Sequence, residues 1–303
     1  MAKRRRHPLQ QRLEYLAYRA LSAVARRMSD PAAQRWGARI GNLARRILKG
    51  RDALAVRNLR ETFPEKSDAE RRAILDESWR HFGRELLIFL RVQSMSLEEI
   101  AERCPAYNTE LFDEAVARGN GVLVVSGHFG SWEVAALAML ARFPHVTSVA
   151  RALDNEFLEK DLSALRARTG AQLVDRRSAA RPLMKALQNK GVVCLLIDQA
   201  VQPREGVLVP FLGRPAWTTD APAKLALRYG STIVFTSCIP DGTRHRLEFE
   251  RAIAVNQLSE EERNVVALTG RINQLLSDRI ASRPELWLWM HDRWKGTATA
   301  HGE

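Results

Sequence analysis

His128 and Glu133 stand five residues apart in the segment Gly121 to Glu133, GVLVVSGHFGSWE, directly after a run of apolar and β-branched residues. On one continuous helix two such residues point about 140° apart, so an imidazole and a carboxylate at this spacing meet only if the histidine lies in a turn before the helix. Gly127 and Gly130 give that turn a permissive backbone, Ser131 suits the helix cap, and Glu133 in the first helical turn can reach back to the ring. A carboxylate on one ring nitrogen fixes the tautomer and stabilises the imidazolium, which makes the other nitrogen a general base. The end of a strand is also where open α/β sheets bind ligands.

The nucleophile is harder to place. Ser126 lies two residues before His128, but VVSGH lacks the Gly-x-Ser-x-Gly elbow, and Cys194 inside VVCLLI reads as a small buried apolar residue. A hydroxyl on the substrate is then the candidate, giving direct transfer to an alcohol. A lipid hydrolase acting through Ser126 and a non-enzymatic basic module are the alternatives. Arg151 ends HVTSVA and Asp198 ends VVCLLI, so both are expected at the crevice that holds His128. A guanidinium there can hold a phosphate or an oxyanion with Asp198 positioning it, or the two can tie loops together; backbone amides of the Gly127 to Gly130 turn are a competing oxyanion hole. His81, His145, His245 and His291 lack metal-ligand spacing, and neither a phosphate-binding Walker loop nor a dinucleotide glycine motif occurs. No metal and no bound cofactor are expected.

The elements that would position these residues follow from the texture of the chain. From residue 121 the runs GVLVVSG, HVTSVAR, GVVCLLIDQ and STIVFTSCI alternate with helical stretches at about 131–142, 155–169, 178–189 and 219–229. That alternation predicts an α/β fold with a largely parallel central sheet flanked by helices. Residues 67–92 read as a helix capped by Ser67 with Glu70 three places on. In REGVLVPFLGRPAWTT, glycines and prolines shape a hairpin or lid around Phe211 and Leu212, against which an acyl chain could lie with Arg214 near a phosphate. Trp287, Trp289 and Trp294, interleaved with Arg293 and Lys295, fit either an interfacial patch or the closing of the core.

The charge sits at one end. Residues 1–60 carry 16 Lys and Arg against Glu14, Asp30 and Asp52, so the net +12 of the 303-residue chain resides there and the remainder is close to neutral. Leu9, Leu13, Leu16, Ala20, Val24 and Met28 recur at helical spacing, and Trp36, Ile40, Leu43 and Ile47 form a second stripe. Residues 1–66 are therefore expected to be an amphipathic helical extension that associates with an anionic membrane surface rather than nucleic acid, and residues 67–303 the catalytic domain. Charges interrupt every apolar run before the roughly 18 residues a membrane span requires.

The ordered blocks GHFGSWE, VARALDN, LLIDQ, GVLVPFLGRPAWTTDAPAKLALRYG and RPELWLWMHDRWK resemble the lauroyl and myristoyl acyltransferases of lipid A biosynthesis. The resemblance covers most of the chain. It implies a glycerolipid-acyltransferase-like fold, acyl carrier protein as the acyl donor, a lipid A precursor as the acceptor, and a peripheral place on the cytoplasmic face of the bacterial inner membrane. Carried onto this sequence it makes His128 and Glu133 the catalytic dyad and gives Arg151 and Asp198 a part in the site. Many relatives have a more apolar N-terminal membrane helix, whereas charges break it here.

Overall fold

The computed structural model describes residues 7–143, 145–150, 153–168, 170 and 172–297. Five helices come first: α1 (Pro8–Arg27), α2 (Asp30–Ile47), α3 (Lys49–Thr62), α4 (Asp68–Val92) and α5 (Leu97–Arg103). β1 (Ala106–Tyr107) and α6 (Glu110–Ala117) lead into β2 (Val122–Ser126), α7 (Trp132–Arg142), β3 (Val146–Ala150), α8 (Glu156–Arg168), β4 (Gln172–Asp175), α9 (Ala180–Gln188) and β5 (Val192–Leu196). A hairpin of β6 (Gly206–Phe211) and β7 (Arg214–Thr219) is followed by α10 (Ala221–Tyr229), β8 (Thr232–Asp241), β9 (Arg244–Ala254) and α11 (Val265–Ser282). The expected capping box of α4 is formed, with Ser67 N donating to Glu70 Oε2 at 2.7 Å and Glu70 N to Ser67 Oγ at 3.3 Å.

Seven strands form one sheet in the order β1-β9-β8-β2-β5-β3-β4, parallel throughout except for the β8–β9 pair. Strand alternation divides its side chains between two cores. Leu123 and Val125 of β2 join Val193, Ile233 and Phe235 beneath α9, α10 and α11, whereas Val122, Val124 and Val234 pack beneath α5, α6 and α7. From β2 the chain crosses through α7 on one face to β3; it returns from β4 through α9 on the opposite face to β5. Reversing direction must also reverse the covering face if both crossovers are right-handed. The chain leaves β2 toward the α7 face and, after β5, runs through the β6–β7 hairpin to α10 on the opposite face, so a crevice opens between the carboxyl ends of these neighbouring strands.

The C-terminal segment closes this end of the sheet. Trp287, Trp289 and Trp294 are buried, so they complete the core and do not form an interfacial patch. Trp287 packs edge-on to Trp289 with centroids 4.7 Å apart. Arg293 is fully buried too, donating to Trp217 O at 2.7 Å and Thr218 Oγ1 at 2.6 Å. Helices from the N-terminal half pin the same segment: Asn58 Nδ2 donates to Trp289 O at 2.9 Å, and Ser78 Oγ to Trp287 O at 2.9 Å. α3 also contributes Ala55 and Leu59 to the core beside these tryptophans.

α2 packs in a way its apolar stripe does not foretell. Its buried residues are Ala33, Gly37 and Gly41, while Trp36, Leu43 and Ile47 are 50%, 56% and 69% exposed. On α1, Leu9, Leu13, Leu16 and Val24 are likewise exposed, and Ser22 and Ala25 are buried. Small residues let backbones approach: a Cβ on Gly41 would lie 2.0 Å from the Trp79 carbonyl oxygen, and one on Gly83 of α4 would lie 2.1 Å from that of Gly37. Gly83→Ala therefore forces α2 off α4. The expected cost is about 1–3 kcal/mol, read as a lower urea midpoint at unchanged slope; an unchanged midpoint would show that the crossing is not close-packed.

Candidate active site

The site is built where β2 and β5 end. Val122 pairs with Val192 and each following residue pairs with the one 70 places on, through Ser126 with Leu196. Two residues beyond the ladder the same offset brings His128 to Asp198. His128 Nδ1 lies 2.8 Å from Asp198 Oδ1, and the His128 backbone N–H donates to Asp198 Oδ2 at 2.8 Å. Trp287 Nε1 donates to the same Oδ2 at 2.8 Å. A carboxylate that is 2% exposed thus receives three N–H groups. Burial alone would raise its pKa, but the imidazole and these hydrogen bonds bring it down to about 2.

The turn that carries the ring is fastened on several sides. Gly130 has φ +59°, and a Cβ there would lie 1.9 Å from the carbonyl oxygen of Cys238, so only glycine fits. Gly130 N donates to Leu286 O at 2.9 Å, Ser131 N to Cys238 O at 2.8 Å, and Leu288 N to His128 O at 3.2 Å. His81 of α4 reaches the Gly130 carbonyl oxygen at 3.3 Å, and behind it Glu85 stands 3.3 Å from His245 Nε2. At Gly127 a side chain would meet Leu276 at 2.8 Å and Asp198 at 3.1 Å, so this glycine lets the carboxylate come close.

An anionic Asp198 on Nδ1 means that this nitrogen carries the proton and Nε2 presents a lone pair. Nε2 points to the mouth of the crevice, where the Gln199 amide nitrogen stands 3.2 Å away. Burial disfavours a charged ring, but Asp198, with a smaller contribution from Glu133, outweighs it and raises the pKa of His128 above the ordinary value. Trp132 covers one side of the ring at a centroid distance of 5.4 Å.

Several sequence expectations change here. The orienting carboxylate is Asp198 and not Glu133, which is half-buried at the start of α7 and hydrogen-bonds to neither ring nitrogen. The strand register delivers Asp198 to Nδ1, and Glu133 acts on the ring only through its charge. The backbone amide of Gly130 is spent on Leu286, so it offers no oxyanion hole. Arg214 is not brought to His128: its guanidinium pairs with Glu61 and lies 4.0 Å over the Trp294 ring. Phe211 is fully buried rather than facing a lipid. Ser126 Oγ donates to Thr236 O at 2.8 Å, and burial pushes the Cys194 thiol up to about 12. Arg151 falls outside the described residues. Gln199 and Trp287 went unassigned in the sequence; both stand in quoted blocks, LLIDQ and RPELWLWMHDRWK, and the 70-residue ladder offset was the signal for Asp198.

A histidine held by a buried carboxylate thus stands in the crevice of a parallel sheet, with the Ser126 hydroxyl bonded elsewhere and the Cys194 thiol buried. Residues 2–296 match the bacterial lipid A biosynthesis acyltransferases, and the chain belongs to that family. It is 28% identical over 268 residues to the lipid A biosynthesis lauroyltransferase of Escherichia coli K12, covering 88% of this chain and 86% of the relative. It is 24% identical to the myristoyltransferase of the same strain, covering 84% and 78%. It is also 26% identical to a phosphatidylinositol mannoside acyltransferase of Mycobacterium tuberculosis, covering 72% and 68%.

In Asp198→Asn the carboxamide oxygen can keep the two bonds now made to Oδ2, which turns its NH2 toward Nδ1 and forces the proton to Nε2. The wrong tautomer should cost on the order of 10³–10⁴ in kcat. A base works only when neutral, so wild-type kcat/KM should rise through the elevated pKa of His128. Loss of the negative charge should move that ascending limb to lower pH; a limb that stays in place would detach Asp198 from the ring's titration.

Proposed function

We propose that the chain transfers a fatty acyl group from acyl carrier protein to a hydroxyl of a lipid A precursor, with His128 as the general base. The observation that carries this reading is the lone pair of Nε2, oriented by Asp198, in a chain that matches an acyltransferase family over residues 2–296. His128 Nε2 takes the proton of the acceptor hydroxyl as its oxygen attacks the thioester carbonyl. The new C–O bond pushes the carbonyl electrons onto oxygen, and Asp198 stabilises the imidazolium. Collapse of the tetrahedral intermediate breaks the C–S bond, and the departing thiolate takes the proton from Nε2. Ester and thiol are the products, and no metal or bound cofactor enters the balance. Glu133 acts through its charge, as a second and weaker stabiliser of the imidazolium.

The lauroyl and myristoyl relatives support a lipid A acceptor, and the mannoside relative supports a glycolipid as the runner-up. A hydrolase through Ser126 is disfavoured because its hydroxyl is bonded to Thr236 and not to His128. The protein works at the cytoplasmic face of the inner membrane, bound peripherally through α1 and α2. No helix among the described residues is long and apolar enough to cross a membrane. The exposed leucines and Trp36, with Arg39 4.7 Å over the Trp36 ring, suit an interface where apolar side chains sink between anionic headgroups.

Incubation with acyl carrier proteins of graded chain length and a lipid A precursor, followed by mass analysis of the lipid, should show one added acyl chain. A glycolipid acylated while the precursor is untouched would select the runner-up. His128→Ala should abolish transfer, and Glu133→Gln should cost less than Asp198→Asn; the reverse order would return the orienting role to Glu133. Leu43→Ser with Ile47→Ser should lower binding to phosphatidylglycerol vesicles at least about tenfold, since each exposed chain can contribute roughly 1.5–3 kcal/mol when buried. Equal binding by this variant would place the contact elsewhere.

A further inference from the structure

The acyl transfer proposed above requires a donor for the charge that develops on the carbonyl oxygen. When the hydroxyl attacks, negative charge moves onto the carbonyl oxygen, and an enzyme of this kind needs N–H or O–H donors waiting for it. Backbone amides of such a turn are the usual source, but those of His128, Gly130 and Ser131 already donate to Asp198, Leu286 and Cys238. With these three amides spent, an exposed side-chain donor standing beside the ring is a source at hand.

Nε2 poses a second problem. Its lone pair must meet the acceptor hydroxyl, yet in the structure the Gln199 amide nitrogen occupies that place at 3.2 Å. Because Nδ1 keeps its proton for Asp198, Gln199 is the donor in this contact. The neighbours of Gln199 are fixed: Asp198 holds three N–H groups, and Ala200 N donates to His291 Nε2 at 3.4 Å. Its side chain, by contrast, is exposed at the mouth of the crevice. The backbone is held while the amide is free to turn about its own side-chain bonds.

We propose that Gln199 is a catalytic residue with two positions, donating to Nε2 of His128 while the site waits and to the donor's carbonyl oxygen once an acceptor hydroxyl replaces it. The inference rests on His128 being the base. A hydroxyl oxygen hydrogen-bonded to Nε2 and a carbonyl carbon roughly 3–3.5 Å beyond it put the developing oxyanion a few ångströms from where the amide now lies. One side-chain rotation spans that distance. In the waiting state the contact holds Nε2 unprotonated, since a donor there favours the neutral ring. When the substrates arrive the same N–H meets the charge that the base has released.

Among the described residues, the other titratable groups near the ring are Asp198 after β5, Glu133 on α7 and His291 on the C-terminal segment. None of them donates to Nε2. Removing the amide should therefore raise the pKa of His128 in the free enzyme, with those three unchanged. Gln199→Ala, full length and beside His128→Ala, is the test. The expected result is a kcat lower by on the order of 10²–10³ with KM for acyl carrier protein nearly constant. Together with this, the imidazole titration followed by NMR in the substrate-free protein should move to higher pH. Gln199→Glu, which cannot donate, should show the same loss and a larger upward movement.

If Gln199→Ala turns over like the wild type while His128→Ala is dead, this proposal is overturned and the base assignment stands. Either change without the other overturns the two-position scheme. Activity retained in His128→Ala removes both readings together.

Discussion

Everything at the working end of this molecule hangs on one buried carboxylate. Asp198 could not be ionised in the core unless its charge were met, and it is met by a backbone N–H, an imidazole and an indole from different parts of the chain. The requirement runs both ways. The carboxylate needs these donors in order to stay charged, and its charge fixes which ring nitrogen of His128 carries the proton. Neither group would be stable alone in its place.

The sheet sets the separation of these groups before any side chain is considered. Two parallel neighbours in register deliver residues to their ends in pairs, and here the pair is a histidine and an aspartate. The turn after β2 then needs glycine at 127 and 130, because a carboxylate stands against one and a carbonyl oxygen against the other. Helix α4 braces the turn from behind through His81, whose own neighbour Glu85 stands 3.3 Å from His245. A polar chain of this depth in a protein core narrows the conformations open to the loop above it.

Much of this was legible in the residues. The β-branched runs at 122–126 and 192–196 became strands, the Ser67 and Glu70 box became a helix start, and the glycine-flanked histidine fell in a turn as its spacing required. What the residues did not disclose depended on contacts between distant segments. Glu133 looked like the partner of His128 because it is near in sequence, but strand pairing is set by a register that short-range spacing does not contain. Arg214 looked like a phosphate-binding cation and Arg293 like part of an interfacial stretch, yet each is occupied, one by Glu61 and an indole face, the other by a carbonyl and a hydroxyl. The alternate tryptophans allowed two readings, and burial decided between them. On α2 the apolar stripe told nothing of the face that packs on α4; the helix turns its glycines there, because two backbones in contact need small residues.

The indole that completes the carboxylate's shell belongs to Trp287, 89 positions after Asp198, and α1 and α2 lie at the other extreme of the chain. Synthesis proceeds from the N-terminus, so the amphipathic helices emerge from the ribosome long before the centre can close. The carboxylate's shell stays open through most of translation, and it closes only once residue 287 has been made and folded back onto the sheet.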